Sequence, residues 1–170
     1  MSATPAHNID LMKAAFAALN RRDIAACIAM LTPDFQIHVA GAPPRTGQAA
    51  WRSNTGIMFT AFPDAQVHVE DMFATEDKVA VRARITGTHT GNFLGQPATG
   101  NAIAYDSIEI YQIRDGRIAA EWICSDTLTM MTQAGIHKKG ALLALWLGSF
   151  KVWIAAALGI AVGALVFAWL

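Results

Sequence analysis

Apolar and polar positions recur along this chain with two different periods. Ile9, Met12, Phe16 and Leu19 return at helical spacing, which predicts an amphipathic helix over 6–21. Asp23 stands where it can cap a second short helix reaching Met30, with Thr32-Pro33 as its stop. Phe35, Ile37 and Val39 alternate as a short strand that ends in GAPP. A third helix is read from Gly47 to Phe62, with Trp51, Thr55, Met58, Phe59 and Phe62 on one side. From there the period drops to two, and strands are expected at 66–74, 78–89, 102–113 and 117–126. A last short helix over 127–134 runs into Gly135. Helices first and an antiparallel meander afterwards predict an α+β domain.

Strand parity then assigns faces. In KVAVRARITGTHT, Val79, Val81, Ala83, Ile85, Gly87 and His89 share one parity, while Lys78, Arg82, Arg84, Thr86 and Thr88 take the other. The charges mark the second set as outward, so His89 falls at the far end of an inward row. Asp115-Gly116 is a strong two-residue hairpin turn. With a regular ladder beyond it, Arg114 faces Arg117, Ile113 faces Ile118 and Tyr111 faces Ala120. Glu109 then faces Trp122, Ser107 faces Cys124 and Tyr105 faces Asp126, all on one face of the sheet. The other face carries Ile108, Ile110, Ile123, Glu121 and Ser125 and is half apolar, so it can meet a second subunit.

Composition changes abruptly near the end. Residues 140–170 contain one charge, Lys151, and VWIAAALGIAVGALVFAWL from 152 to 170 contains none. A helix of that length spans roughly 28 Å, close to the roughly 30 Å hydrocarbon core of a bilayer. This predicts a domain at 1–137, a basic, interfacial connector at 138–151 and a transmembrane helix at 152–170. The rival reading buries that helix in a dimer core. Lys138, Lys139 and Lys151 all precede the apolar run, which would hold the domain on the cytoplasmic side as a single-pass, C-terminally anchored protein. MSATPAHNID lacks the basic start and apolar run of a secretory signal.

Thirteen basic and thirteen acidic residues give a formal net charge of zero, so nothing here points to nucleic acid. Two cysteines, Cys27 and Cys124, are too few for a disulfide framework and read as buried thiols. No histidine and carboxylate group has metal-ligand spacing, and the glycine-rich GNFLGQPATG follows no phosphate-binding pattern. Neither a metal nor a cofactor is expected.

GTHTGNFLGQPATG, AYDSIEIYQIRDGRIAAEWICSD and LTMMTQAGI together resemble the SnoaL-like polyketide cyclase (ester cyclase-like) branch of the nuclear transport factor 2-like superfamily. The resemblance runs from about residue 7 to 137 and is strongest over 76–136. It implies a cone-shaped, strongly curved antiparallel sheet with helices packed across its open side and a deep apolar pocket. It also implies cofactor-free closure of a polyketide ring by an intramolecular aldol step. The family's Trp-x-x-x-Asp stretch falls on Trp122 to Asp126, and its GTHTG stretch brings in His89.

Asp126, as acid/base, and His89, as its helper, are therefore the candidate catalytic pair. Tyr105, Glu109, Trp122 and Tyr111 are candidate pocket residues. Burial would raise the pKa of Asp126 into the range where it exchanges protons with a carbon acid. The competing reading makes Asp126 an N-cap for the 127–134 helix and His89 a strand-end residue bonded to loop backbone. Glu109 lies about 13 Å of strand rise from Asp126, too far to share a proton with it. Two functions follow. One is a membrane-tethered cyclase or isomerase acting on a small hydrophobic carbonyl compound. The other is a non-catalytic binding or assembly module of the same fold. Expected partners are that small molecule, the bilayer through 152–170 and, as an option, a second copy of the chain.

Overall fold

The computed structural model describes residues 4–136; the proposed connector and membrane helix, at 138–170, lie outside the described residues. Thr4 caps the first helix, α1 (Pro5–Asn20), through His7 N–H. Asp23 caps α2 (Ile24–Ala29) through Ala26 N–H at 3.0 Å. Both helices begin on side chains that satisfy free N–H groups of the first turn. The first strand, β1 (Leu31–Val39), runs through Thr32-Pro33, and a two-residue β2 (Arg45–Thr46) precedes α3 (Gln48–Ala61). Four further strands follow, β3 (Gln66–Ala74), β4 (Lys78–Thr88), β5 (Ala102–Arg114) and β6 (Arg117–Ser125), and then α4 (Thr127–Gln133).

The six strands form one sheet in the order β2-β1-β6-β5-β4-β3. The β3–β4–β5–β6 meander is antiparallel, as parity predicts. β1, however, lies parallel to β6, so the sheet is mixed rather than purely antiparallel. Strand alternation gives each strand a direction-free pattern of faces, so it could not reveal how β1 pairs. The inner face carries Phe35, Ile37, Val79, Val81, Ala83 and Tyr111, and it packs against Met12 and Phe16 of α1 and Trp51 of α3. A second buried cluster joins Phe62, Ile85, Phe93, Ile103 and Tyr105 to Met130 and Ala134 of α4.

The β5–β6 hairpin departs from the regular ladder at one residue. Arg114 pairs with Arg117 and Ile113 with Ile118, but Gln112 pairs with Ala120, so Ala119 is an extra residue. A bulge of this kind reverses every face beyond it. Tyr111 therefore faces Glu121 rather than Ala120, and Glu109 faces Ile123 rather than Trp122. Ser107 faces Ser125 rather than Cys124. The expected register for 119–126 is thus one position out. Trp122 and Cys124 point outward and are exposed, so Cys124 is not the buried thiol that regular alternation predicts. Trp122 stacks on His38 of β1 at 5.0 Å between ring centres, beside Ile108 and Ile110 on the outer face.

Candidate functional site

Reversal of parity at Ala119 turns Glu121, Ile123 and Ser125 towards the helices. There they meet Tyr105, Ser107, Glu109 and Tyr111 from β5, which regular alternation already turns inward. Between this face and the helices lies a cavity of about 340 Å³. Its walls are mostly apolar, with Phe16, Trp51, Met58, Phe59 and Phe93 among them. A volume of this size sits within the range of about 300–1,000 Å³ typical of small-molecule sites.

Two carboxylates line the cavity, and each is 7% exposed. Glu121 stands opposite Tyr111, and Glu109 stands one inward pair further along the same face. Diagonal neighbours of this kind have Cβ atoms about 7–8 Å apart or closer, within mutual reach of glutamate side chains. Their surroundings differ. Glu109 accepts from Ser107 Oγ at 2.8 Å on Oε1 and from the Tyr111 hydroxyl on Oε2. Nothing among the described residues donates a side-chain hydrogen bond to Glu121.

Burial pushes both carboxyl groups above the ordinary glutamate range. For Glu109 the Tyr111 and Ser107 hydroxyls work against that rise. For Glu121 the negative charge of Glu109 adds to it. Two neighbouring carboxylates in an apolar wall titrate as a unit and together hold a proton that each would lose in water. The better-donated Glu109 is the natural seat of the negative charge, and Glu121 the natural seat of the proton. Burial and the same Glu109 charge also raise the phenols of Tyr105 and Tyr111, so both stay protonated donors.

The candidate catalytic pair of the sequence lies elsewhere. Asp126 faces away from the cavity, at the start of α4, where Oδ1 accepts Thr129 N–H at 3.0 Å and Oδ2 accepts the Thr129 hydroxyl at 2.6 Å. Those bonds hold its carboxyl below the usual aspartate range, the opposite of the expected shift. His89 is fully buried and lies outside the cavity lining. The Thr99 hydroxyl donates to the Ala134 carbonyl at 2.7 Å, so it accepts from His89 Nδ1–H at 3.1 Å. His89 thus ties β4 to the 99–101 loop and the end of α4, with its ring against Phe62. Trp122 is on the outer face, whereas Tyr105, Glu109 and Tyr111 do line the cavity. Glu121, Ser107 and Ser125 have no place among the sequence candidates. A charged residue directly after two alanines was the only local sign of Glu121.

Residues 9–134 match the SnoaL-like polyketide cyclase family. Aklanonic acid methyl ester cyclase from Streptomyces peucetius is 30% identical over 95 residues, a stretch covering 55% of this chain and 65% of that enzyme. Among solved structures, AclR from Streptomyces galilaeus, a candidate hydroxylase, superposes with a TM-score of 0.72 at 27% identity, covering 79% of this chain and 100% of AclR. IdmH from Streptomyces antibioticus, a candidate polyketide cyclase, does so at 0.66 and 32% identity, covering 74% of this chain and 96% of IdmH.

Proposed function

This chain belongs to the SnoaL-like polyketide cyclase family, and from that premise we propose that its cavity closes or isomerises a small, uncharged carbonyl compound by acid/base chemistry on Glu109 and Glu121. The observation that carries the reading is the unequal pair of buried carboxyl groups on one wall of an apolar cavity. Glu109 takes a proton from carbon between two carbonyl groups, and its two hydroxyl donors stabilise the charge it carries beforehand. The enolate carbon attacks a third carbonyl carbon, further along the same molecule, forming the C–C bond. Glu121 gives its proton to the oxygen that becomes the alcohol. The product is an isomer of the substrate, and one proton exchange between the two carboxyl groups restores the site.

Cavity charge supports an uncharged ligand. The described lining residues include two carboxylates and no lysine, arginine or histidine, so a free carboxylate would enter without a counter-charge. An ester, such as the one in the name of the cyclase relative, meets no such barrier.

Aklanonic acid methyl ester is the first probe. Full-length protein should convert it to a product of equal mass and different retention, with deuterium entering the reacting carbon in D₂O. Glu109→Gln should lower the rate at least about 100-fold while Trp51 fluorescence still reports binding. Binding without closure or C–H exchange, across a series of related aromatic esters, would refute catalysis and leave a binding module.

Membrane attachment through 152–170 belongs to the same proposal, with the domain on the cytoplasmic side; it rests on the uncharged run of the sequence. No helix among the described residues is long and apolar enough to cross a membrane. Alkaline carbonate should leave the full-length chain in the pellet and release a version ending at His137. Release of both would exclude insertion.

A further inference from the structure

Among the described residues, one chain of side-chain hydrogen bonds leads from Glu109 to a strand end. Glu109 Oε2 leads to the hydroxyl of Tyr111, which is itself buried against Phe16. Its Oε1 leads to Ser107 Oγ at 2.8 Å, and Ser107 is 1% exposed. Ser107 Oγ lies 2.8 Å from Ser125 Oγ, directly across the β5–β6 ladder. Ser125 is the last residue of β6, half-buried and on the cavity wall. A hydroxyl has one proton, so Ser107, donating to Glu109, accepts from Ser125. All three oxygens thus point the same way, from the strand end inward.

We propose that Ser125 and Ser107 form a proton relay that exchanges protons between Glu109 and the end of β6. In one passage a hydronium ion gives a proton to Ser125 Oγ and becomes water, the proton already there moves to Ser107 Oγ, and the Ser107 proton moves to Glu109 Oε1. Each hydroxyl breaks one O–H bond and forms one, and the carboxylate becomes a carboxylic acid. The hydroxyls then point outward, Glu109 to Ser107 to Ser125, which is the geometry for the reverse passage. Tyr111 is a dead end, because its hydroxyl leads only back to Glu109. With a ligand against Glu109, this chain of hydroxyls is the hydrogen-bonded path between Glu109 and the end of β6. The relay builds on the acid/base reading of Glu109, but its test requires no substrate.

The test follows the infrared C=O band of the protonated carboxyl, which shifts on deuteration. Full-length protein in nonionic detergent, saturated with anthracene to fill the cavity without adding a carbonyl or an exchangeable proton, is mixed rapidly into D₂O. Glu121→Gln, which removes the seat of the pair's proton, identifies the band, and that proton reaches the relay through Glu109. Ser125→Ala leaves both donors on Glu109 in place, so the band position should hold while its exchange slows by on the order of tenfold or more. Ser125→Thr, which keeps the hydroxyl, should restore the parent rate. Equal rates in parent and Ser125→Ala, or a threonine variant as slow as the alanine one, would overturn the relay. Either result would leave the acid/base reading standing, since that reading is decided by the turnover measurements.

Discussion

Replacing Glu121 by glutamine keeps the side chain's shape and removes its titration from the apolar wall. Burial first, and the Glu109 charge second, hold this carboxyl well above its ordinary range. A glutamate in the unfolded chain titrates near about pH 4.3. The folded state therefore retains a proton that the unfolded state gives up. The stability from this group is complete below that value and is lost as pH rises through the folded pKa. Inside the window, one proton corresponds to about 1.4 kcal/mol per pH unit at 25 °C. Glu109 is shifted the same way and adds to the slope. Asp34, Asp64, Asp77 and Asp126 are shifted downward, chiefly by side-chain hydrogen bonds, so their contributions are lost only in acid, as pH falls through their folded values. The two windows do not overlap. Glu121→Gln should flatten the neutral slope by up to about 1.4 kcal/mol per pH unit and be the more stable protein at the alkaline end. Urea unfolding of both full-length chains in nonionic detergent, followed by circular dichroism between about pH 5 and about pH 8, reads the slope directly. Parallel profiles, or a variant weaker by a constant amount at every pH, would show that Glu121 is ionised in the native state and would refute the reasoning.

Four other perturbations test the frame around the site. Arg22 stacks its guanidinium 3.9 Å from the Phe59 ring centre and donates to the carbonyls of Leu19, Asn20, Pro63 and Ala65; Arg22→Ala should cost about 2–3 kcal/mol in a urea melt. A Cβ on Gly91 would lie 1.8 Å from the Thr60 carbonyl oxygen, so Gly91→Ala should destabilise by at least about 2 kcal/mol, and an unchanged midpoint would exclude that packing. Asp126→Ala should lower the urea midpoint through the lost cap and leave ligand affinity and turnover unaltered; loss of turnover in a folded variant would return Asp126 to the chemistry. Deleting Ala119 should abolish the pH-dependent slope along with ligand binding, and a soluble variant that keeps both would deny the bulge its role.

Most of the fold was legible because its signals are local. Asp23 caps α2 as expected, and β3 to β6 fall within about two residues of their expected bounds, a normal margin for strand ends. The parallel pairing of β1 with β6 was not legible, since it joins segments some 80 residues apart with no connecting pattern. Half of the site was legible too. Regular alternation turns Tyr105, Glu109 and Tyr111 inward, and they line the cavity. The β6 half was not. Ala119 and Ala120 are small enough for either face, so the one place where the strand gains a residue leaves no mark in the text.

That unmarked bulge deserves to be read as the origin of the site rather than as an irregularity. With a regular ladder, Trp122 would face inward and Glu121 would sit on the outer face opposite Ile110. The observed register does the reverse on both counts. It leaves Trp122 40% exposed on the outer face, stacked on His38, and it moves a carboxyl group into an apolar wall beside another one. Each change is unfavourable for stability: one forgoes burial of a large aromatic surface, the other desolvates an ionisable group. What this register gains is a pair of unequal carboxyl groups facing the cavity, the pair on which the proposed acid/base chemistry rests, with Asp126 turned outward.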